Sequence, residues 1–361
     1  METYQVSALR YRPQTFEEVV GQEAITQTLQ HAVAQNQLAQ ALLFCGPRGV
    51  GKTSCARILA KTINSQSESE AHTSDFAFNI FELDAASNNS VDDIRQLNEQ
   101  VRIPPQVGTH KVYIIDEVHM LSTAAFNAFL KTLEEPPKHV IFILATTEKH
   151  KIIPTILSRC QIYDFKRIGI DDLKKSLAKI ADQLGIPYQD EALQLIAVKA
   201  DGAMRDALSI FDRMVSFTQK NLTTADVAAN LNILDSETYF QFTDLILQKD
   251  IPGLLVLAND ILSKGFEGSQ FIDGLGNHYR TLLVAKDPQT LPLMEVSAAS
   301  KETYQTQSQA YAIPHLLSGL QIINETALNY KNNTHKRLSI ELCLMQLASL
   351  HHQEGEKKKA I

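Results

Sequence analysis

Residues 45–54 read CGPRGVGKTS, directly after the short apolar run ALLF. The segment fits the pattern G-x-x-x-x-G-K-[ST] at Gly46, Gly51, Lys52 and Thr53. Glycines let the backbone curl until several N–H groups point into one concavity, and a following helix adds the positive end of its dipole. Because an apolar strand candidate leads in and a helix candidate leads out, the pattern predicts a phosphate-binding loop rather than a plain glycine turn.

The lysine and the hydroxyl residue of such a loop have separate tasks. Lys52 is expected to reach the β and γ phosphates, and the Thr53 hydroxyl to bind Mg²⁺. The predicted nucleotide-binding residues of the loop are Gly46, Pro47, Arg48, Gly49, Val50, Gly51, Lys52, Thr53 and Ser54. The loop alone leaves open whether the nucleotide is hydrolysed, transferred or only held.

Length and composition exclude several classes of protein. The chain is 44% hydrophobic and 21% charged, which is typical of soluble globular proteins. Its 361 residues are enough for two or three domains. No apolar run approaches the ~20 residues that span a bilayer, and the N-terminus lacks an apolar signal core. The four cysteines lie far apart, which predicts a reduced, cytoplasmic setting. The net charge of −7 means that nucleic-acid binding needs a local basic patch.

Apolar runs alternate with helical patterns in the first half of the chain. The runs are ALLF (41–44), FNIFEL (78–83), KVYIID (111–116), VIFILATT (140–147) and QIYDF (161–165). Such alternation predicts an α/β domain, a parallel sheet flanked by helices. Ser90 and Ser122 are predicted to begin helices, and Pro136-Pro137 to end the second of them.

After Phe165 the strand signals stop and only helical patterns follow, with a break at Gly185-Ile186-Pro187. Longer helical segments follow from near residue 231, namely ETYFQFTDLILQ, GLLVLANDILSKG, SQFIDGLGNHYRTLLVAK, IPHLLSGLQIINETALNY and HKRLSIELCLMQLASLHH. The predicted divisions are an α/β domain at 1–166, a small helical domain at 167–230, an all-α domain at 231–355 and a disordered charged tail at 356–361.

The second informative stretch is KVYIIDEVHML (111–121). Its apolar strand delivers Asp116 and Glu117 to the carboxyl end of the sheet, where ligands of open α/β sheets bind. We expect Asp116 to hold Mg²⁺ through water, and Glu117 to orient and polarise an attacking water. His119 is predicted to pack or to form hydrogen bonds rather than to act as a catalyst.

Three later positions complete the candidate site. Thr147 follows Thr146 at the end of VIFILATT, where a polar side chain can hold the attacking water; the alternative is an ordinary β-branched strand end. Arg159 in TILSRC can stabilise charge on a transferring phosphoryl group, also from a neighbouring subunit; the alternative is a solvated arginine. Arg205 begins an amphipathic helix and can touch the phosphates; the alternative is a surface ion pair.

The order of these motifs is that of a known family. The chain contains LRYRPQTFEEVVGQ, GPRGVGKTS, DAASNNSVDDIR, IDEVHMLS, FNAFLKTLEEPP, LATTE, ILSRC and GAMRDAL. Together they resemble the bacterial clamp-loader ATPases, the gamma/tau subunits of the DNA polymerase III holoenzyme, which are AAA+ proteins. The resemblance is dense from residue 9 to residue 214 and looser beyond. It implies a P-loop ATPase domain, a helical lid and an all-α collar that oligomerises.

The resemblance implies a DNA-dependent ATPase motor that uses ATP and Mg²⁺. In this family five subunits form an open ring with ATP sites between neighbours, so Arg159 would act in trans. ATP binding lets the ring open a sliding clamp, and primer–template DNA then triggers hydrolysis and release. The implied partners are the other clamp-loader subunits of a hetero-pentamer, the sliding clamp, primer–template DNA and the polymerase holoenzyme, without a membrane.

The resemblance also implies roles for single residues. Thr147 would be the sensor after the strand and Arg205 the second sensor. The residues that would surround the adenine are Tyr11, Arg12, Pro13 and Val20. The residues that would track DNA are Ser90, Arg95 and Lys131. Relatives can carry a lysine where this chain has Ser90, which predicts one weaker phosphate contact.

One departure from the family is large. Many relatives carry a four-cysteine zinc module after the phosphate-loop helix, whereas the corresponding segment here, SQSESEAHTSDFAF (65–78), has no cysteine. His72 alone cannot make a zinc site, because a structural site needs four ligands. We therefore expect the chain to function without zinc.

Two alternatives keep the fold. One is an interaction subunit of the same ring that binds nucleotide passively or not at all, against which the intact Lys52, Thr53, Asp116 and Glu117 argue. The other is a branch-migration helicase motor, which needs a winged-helix end, whereas residues 231–361 read as long helices. No separate set of carboxylates for nucleotidyl transfer is visible, so polymerase activity of its own is not expected.

Overall fold

The computed structural model describes residues 6–65, 79–106, 108–231, 234, 236–294, 296 and 298–356. The chain forms two compact units, the first made of residues 1–187 and 196–220 and the second of residues 188–195 and 221–361. The three-domain boundaries stay a prediction. In the described part of the chain, no helix is both long enough and apolar enough to cross a membrane.

The predicted parallel sheet forms the centre of the first unit. Its strands are β1 (Ala41–Cys45), β2 (Ile80–Asp84), β3 (Lys111–Asp116), β4 (Val140–Thr146) and β5 (Gln161–Asp164). Their order across the sheet is β2-β3-β4-β1-β5, and every neighbouring pair is parallel. All five carboxyl ends therefore lie along one edge, and this is the edge at which open α/β sheets bind ligands.

Helices cover both faces of the sheet, which explains why its inner strands are almost continuously apolar. Leu42, Phe44 and Ile143 belong to one core, and the alternate residues Leu43 and Phe142 to the other. The edge strand β2 is only partly buried. It begins two residues later than predicted because its pairing with β3 runs only from Ile80 to Asp84; position 78 lies outside the described residues.

Capping residues mark several of the helix ends in the first unit. The helices are α1 (Ser7–Arg10), α2 (Glu23–Ala34), α3 (Lys52–Ser65), α4 (Val91–Val101), α5 (Thr123–Glu134), α6 (Pro154–Leu157), α7 (Ile170–Leu184) and α9 (Met204–Phe217). The Ser90 hydroxyl accepts the Asp93 N–H and the Ser122 hydroxyl accepts the Ala125 N–H, so both predicted helix starts are confirmed. Helix α7 ends at Gly185 with a φ of 64°, a conformation that glycine adopts without strain.

Helices also build the second unit, and the boundary between the units falls within α8 (Asp190–Lys199). The others are α10 (Thr224–Asn230), α11 (Ser236–Gln248), α12 (Ile251–Ser263), α13 (Gly268–Val284), α14 (Ala298–Gln309), α15 (Ile313–Tyr330) and α16 (Lys336–Glu356). Helix α14 was not predicted, because its sequence is largely polar. Tyr304 is one of its few buried residues. Helix α16 continues to Glu356, and residues 357–361 of the predicted tail lie outside the described residues.

A buried histidine lies in the core of the second unit. His278 is 2% exposed, with Nδ1 2.9 Å from the Tyr304 hydroxyl and Nε2 3.3 Å from Thr243 Oγ1. Burial lowers the pKa of His278 from 6.5 to about 4, and a hydrogen bond to Gln307 opposes that shift. The core therefore holds the imidazole in its neutral form at neutral pH.

We expect His278 to make the second unit sensitive to acid. The unfolded residue takes up a proton near pH 6.5 and the folded residue only near pH 4. The neutral imidazole therefore contributes fully to the stability of the fold above about pH 6.5, and this contribution is lost as the pH falls to about 4. The difference corresponds to about 3 kcal/mol in the free energy of unfolding.

His278→Gln is expected to remove this part of the pH dependence, measured by urea unfolding near pH 7 and near pH 5. His335→Gln changes an exposed histidine of the same unit and should keep the wild-type dependence. An unchanged fall in stability in His278→Gln would contradict the assignment.

Candidate functional site

The phosphate loop joins β1 to α3 and depends on glycine geometry. Gly46, Gly49 and Gly51 have φ values of 146°, 79° and 104°, a region that side chains with a Cβ rarely enter. A Cβ on Gly46 would overlap the Phe165 carbonyl oxygen, and a Cβ on Gly49 would lie 3.0 Å from that of Ala203. The loop therefore packs closely against Phe165, the residue after β5, and against the start of α9.

Lys52 is buried inside this loop, with 6% of the residue exposed. Its ammonium donates to the carbonyl oxygens of Gly46 and Pro47 at 2.7 and 2.8 Å. Burial lowers the pKa of Lys52, and the charges of Glu117 and Asp116 oppose that effect. An ammonium that donates to neutral carbonyls inside a curled loop is suited to an anionic ligand. Around it, Arg48 is exposed, Val50 is buried and Ser54 is half-buried.

Two candidate Mg²⁺ ligands meet beside the loop. The Thr53 hydroxyl donates to Asp116 Oδ2 at 2.7 Å, and Asp116 Oδ1 accepts the Glu117 N–H at 2.9 Å. A hydroxyl and a carboxylate are the hard oxygen donors that Mg²⁺ takes from proteins, with phosphates and waters completing its shell. The pair therefore fits the ion that the sequence predicts.

The zinc expectation falls mostly outside the described residues, because positions 66–78, including His72, are not among them. In the parts that are described, no group of three or more histidine, cysteine or acidic side chains could hold a metal ion. Function without zinc stays a prediction.

Glu117 lies directly after β3 in an uncommon backbone conformation, with a φ of 47°. Its Oε2 accepts the Thr147 hydroxyl at 3.0 Å and the Thr147 N–H at 3.3 Å. Left-handed backbone at a residue other than glycine costs free energy and is concentrated at functional sites. The structure therefore brings together the carboxylate and the threonine that follow the ends of β3 and β4, which are neighbours in the sheet.

Arg159 follows α6 and makes its contacts within the chain. Its guanidinium donates to Glu134 Oε1 and to the Thr155 carbonyl oxygen, both at 2.6 Å. The side chain is 33% exposed. Arg159 is thus held near the surface by partners outside the phosphate loop.

Arg205 is brought to the phosphate loop, since a Cβ built on Gly49 would lie 3.4 Å from the Arg205 Cβ.

Helix α9 also binds the N-terminal segment, because Asp212 accepts both the Ser7 N–H and the Ser7 hydroxyl. The predicted adenine contacts are all half-buried; three follow directly after α1 and the fourth lies further along the chain: Tyr11, Arg12, Pro13 and Val20. Sequence reasoning missed Asp212, because nothing local marks a partner 205 residues away.

The predicted DNA contacts lie on two paired helices of the first unit. Helices α4 and α5 are joined by Asn98, which donates to the Ala128 carbonyl and accepts from Thr132. Arg95 lies one turn before Asn98 and is exposed, as is Lys131 on α5.

Acidic side chains occupy the start of α4. Ser90 is engaged in a capping box with Asp93, and Arg95 pairs with Asp92 at 3.0 Å. A phosphate at this helix start would have to compete with these carboxylates.

A cavity of about 770 Å³ lies beside the loop at the carboxyl edge of the sheet. Its lining includes Gly46, Thr147, Lys149 and Asp164, and the Lys149 ammonium donates to Asp164 at 2.8 Å. The phosphate loop and the end of β4 therefore open onto a common space.

Family models match two consecutive segments. Residues 21–169 match a family described as DNA polymerase III, delta subunit. Residues 172–220 match the ATPase lid domain of the DNA polymerase III clamp loader subunit.

Curated relatives match most of the chain. It is 38% identical to DNA polymerase III subunit tau of Bacillus subtilis, over 98% of this chain and 65% of that protein. It is also 38% identical to subunit tau of Escherichia coli, over 80% of this chain and 47% of that protein. Subunit gamma of Buchnera aphidicola (subsp. Baizongia pistaciae) is 31% identical over 96% of this chain and 98% of its own length. The chain thus spans about half to two thirds of these tau subunits.

Among solved structures, the RuvB Holliday junction branch migration motor of Thermotoga maritima is similar in fold. It matches with a TM-score of 0.50 and 21% identity, over 66% of this chain and 79% of that one. This likeness identifies the fold, a parallel sheet flanked by helices as in AAA+ proteins. The relatives, among them a subunit gamma that the chain covers over 98% of its length, show that the chain belongs to the gamma/tau subunit family of DNA polymerase III, and the likeness to RuvB shows that it has the AAA+ fold.

Proposed function

We propose that the chain is an ATP-driven motor subunit of a clamp loader. In this role it binds and hydrolyses ATP to open a sliding clamp and load it onto primer–template DNA. The observation that carries the proposal is the Thr53–Asp116 pair, 2.7 Å apart, beside the buried ammonium of Lys52. A subunit that only bound nucleotide would need these groups but not the Glu117 carboxylate, which Thr147 holds at the neighbouring strand end.

Nucleotide binding is the first step. The N–H groups of the loop and the Lys52 ammonium receive the phosphates, and Thr53 and Asp116 hold Mg²⁺, which neutralises charge on the phosphates. The half-buried segment that contains Tyr11 and Pro13 receives the adenine. Arg205 adds a positive charge beside the loop.

Hydrolysis needs an oriented water. Glu117 supplies a carboxylate at the end of β3 to accept a proton from that water, and Thr147 fixes the carboxylate from the end of β4. Arg159 is bound to Glu134 near the surface, and we assign its action to the ATP site of a neighbouring subunit, as the family resemblance implies. Hydrolysis would then require assembly.

The test is the ATPase rate of the ring assembled with its partner subunits, measured with and without primed DNA and sliding clamp. Primed DNA and clamp together are expected to raise the rate. Turnover that neither of them stimulates would contradict the motor role. The absence of turnover under every condition would favour the passive interaction subunit.

Lys52→Ala is expected to abolish tight ATP binding. The variant removes a charge-assisted contact worth about 1.5–3 kcal/mol, which corresponds to a roughly 10- to 100-fold higher Kd. The Kd can be measured by fluorescence titration of the isolated subunit with labelled ATP. Lys179→Ala changes an exposed lysine of α7 and should bind as wild type. A wild-type Kd in Lys52→Ala would remove Lys52 from the binding site.

DNA binding is expected to depend on salt and to be nearly blind to sequence. The exposed Arg95–Asp92 pair contributes little to stability, so Arg95 can exchange its partner for a phosphate. Arg95→Ala should lower the magnitude of the log–log salt slope by about 0.9 for duplex DNA. Lys179→Ala serves as the control. A marked base preference, or an unchanged slope, would contradict the assignment.

A further inference from the structure

His119 is an enclosed polar side chain beside Glu117, with 7% of its side chain exposed. It lies on the short 3₁₀ helix Val118–Met120. Nδ1 is 3.0 Å from Thr146 Oγ1, and Nε2 is 3.1 Å from Glu148 Oε2. Both ring nitrogens thus have partners at the end of β4.

The partners of His119 are themselves fixed. Thr146 is fully buried in β4, and its hydroxyl oxygen accepts the Glu148 N–H at 3.0 Å. Glu148 also accepts from Lys151 at 2.8 Å. Because a carboxylate can only accept hydrogen bonds, the Nε2–H of His119 donates to Glu148. The ring is therefore oriented by the buried end of β4 and by Glu148, two residues beyond it.

Glu117 Oε2 lies 3.4 Å from Nδ1 of this ring. On its other side the same oxygen accepts the hydroxyl and the N–H of Thr147. A glutamate has three rotatable bonds, so its carboxylate stays in one place only if neighbours restrict it. Thr147 and His119 are those neighbours, and the strand β4 anchors both.

We propose that His119 is a positioning residue for the Glu117 carboxylate. Held by Thr146 and Glu148, its imidazole limits where Glu117 Oε2 can lie, and so governs turnover without taking part in nucleotide binding. The inference rests on the proposed function, since it assigns Glu117 to the hydrolytic step. A displacement of about 1 Å in such a group can cost a factor of 10² in rate.

The test compares variants in the assembled ring with primed DNA and clamp. His119→Phe keeps a ring of similar shape and removes both nitrogens, whereas His119→Gln keeps a donor near the position of Nε2. Glu148→Gln removes the charge of the carboxylate that accepts from Nε2 of His119 and so weakens the support of the ring. Glu148 is half-buried. His31→Gln changes an exposed histidine of α2 and is the control.

His119→Phe is expected to lower kcat roughly 10- to 100-fold and to leave the Kd for ATP within about twofold. His119→Gln should recover part of kcat, and Glu148→Gln should lose less than His119→Phe does. The double variant His119→Phe/Glu148→Gln should equal His119→Phe alone, because both changes act through one ring.

A wild-type kcat in His119→Phe would overturn the inference. The inference would also be overturned if His119→Phe lost ATP affinity and thermal stability together and His119→Gln did not restore them. That result would indicate a merely structural residue. If His119→Phe does not fold, wild-type kcat in both His119→Gln and Glu148→Gln would overturn the inference. No turnover in the wild-type ring would refute the proposed function as well, whereas wild-type turnover with unaffected variants refutes the positioning role alone.

Discussion

Arg159→Ala is expected to leave ATP binding by the isolated subunit within about twofold of wild type and to stop hydrolysis in the assembled ring. An arginine that reaches a phosphoryl group from a neighbouring subunit accelerates transfer roughly 10³–10⁵-fold. In its own chain the guanidinium is bound to Glu134 and the Thr155 carbonyl, so its loss leaves the phosphate loop intact. Single-turnover ATPase rates in rings of mixed subunits measure the effect.

The mixed ring also identifies the affected site. An Arg159→Ala subunit should turn over ATP at its own site when a wild-type neighbour supplies the arginine. The site to which the Arg159→Ala subunit should itself supply an arginine should not hydrolyse ATP. If a wild-type neighbour does not restore turnover, the assignment in trans is wrong. Arg213→Ala removes an exposed arginine of α9 and should behave as wild type in both positions.

The ion pair with Glu134 adds a second constraint. Arg159 must leave Glu134 before it can reach a phosphate of another subunit. A pair whose side chains are 33% and 46% exposed contributes little to stability, so this exchange costs little. Glu134 is therefore a suitable resting partner, and not a competitor strong enough to prevent the action in trans.

The sheet and the phosphate loop were predictable because their signals are local. The apolar runs of β1, β3 and β4 are each buried on both faces, and burial on both faces leaves a continuous apolar sequence. The loop pattern depends on positive φ angles, which only glycines supply without strain. The caps at Ser90 and Ser122 are equally local, since each hydroxyl bonds an N–H three residues ahead.

The contacts that complete the site could not be predicted, because they join segments distant in sequence. Thr147 meets Glu117 only because β3 and β4 are neighbours in the sheet, and the chain order does not state that adjacency. The binding of Ser7 to Asp212 depends on how α9 packs. Helix α14 escaped prediction for a different reason, since few of its residues are apolar and the periodic signal is weak.

Glu117→Gln is expected to keep ATP binding and to stop turnover. Glutamine retains the shape of the side chain and an amide oxygen that can accept the Thr147 hydroxyl and N–H. What it loses is the negative charge that accepts a proton from the attacking water, an effect of about 10²–10⁴-fold on kcat. Affinity should not fall, because the variant removes a negative charge near Lys52, where the phosphates bind.

Two further variants separate charge from position. Glu117→Asp keeps the charge but withdraws the carboxylate from Thr147, so it too should lose turnover, and a partial loss would show how far the geometry tolerates displacement. Glu23→Gln neutralises an exposed glutamate of α2 and should retain wild-type turnover. Hydrolysis at the wild-type rate by Glu117→Gln would assign the proton acceptor elsewhere. In that case another polar side chain at the carboxyl edge of the sheet, where the left-handed backbone after β3 places Glu117, would have to accept the proton.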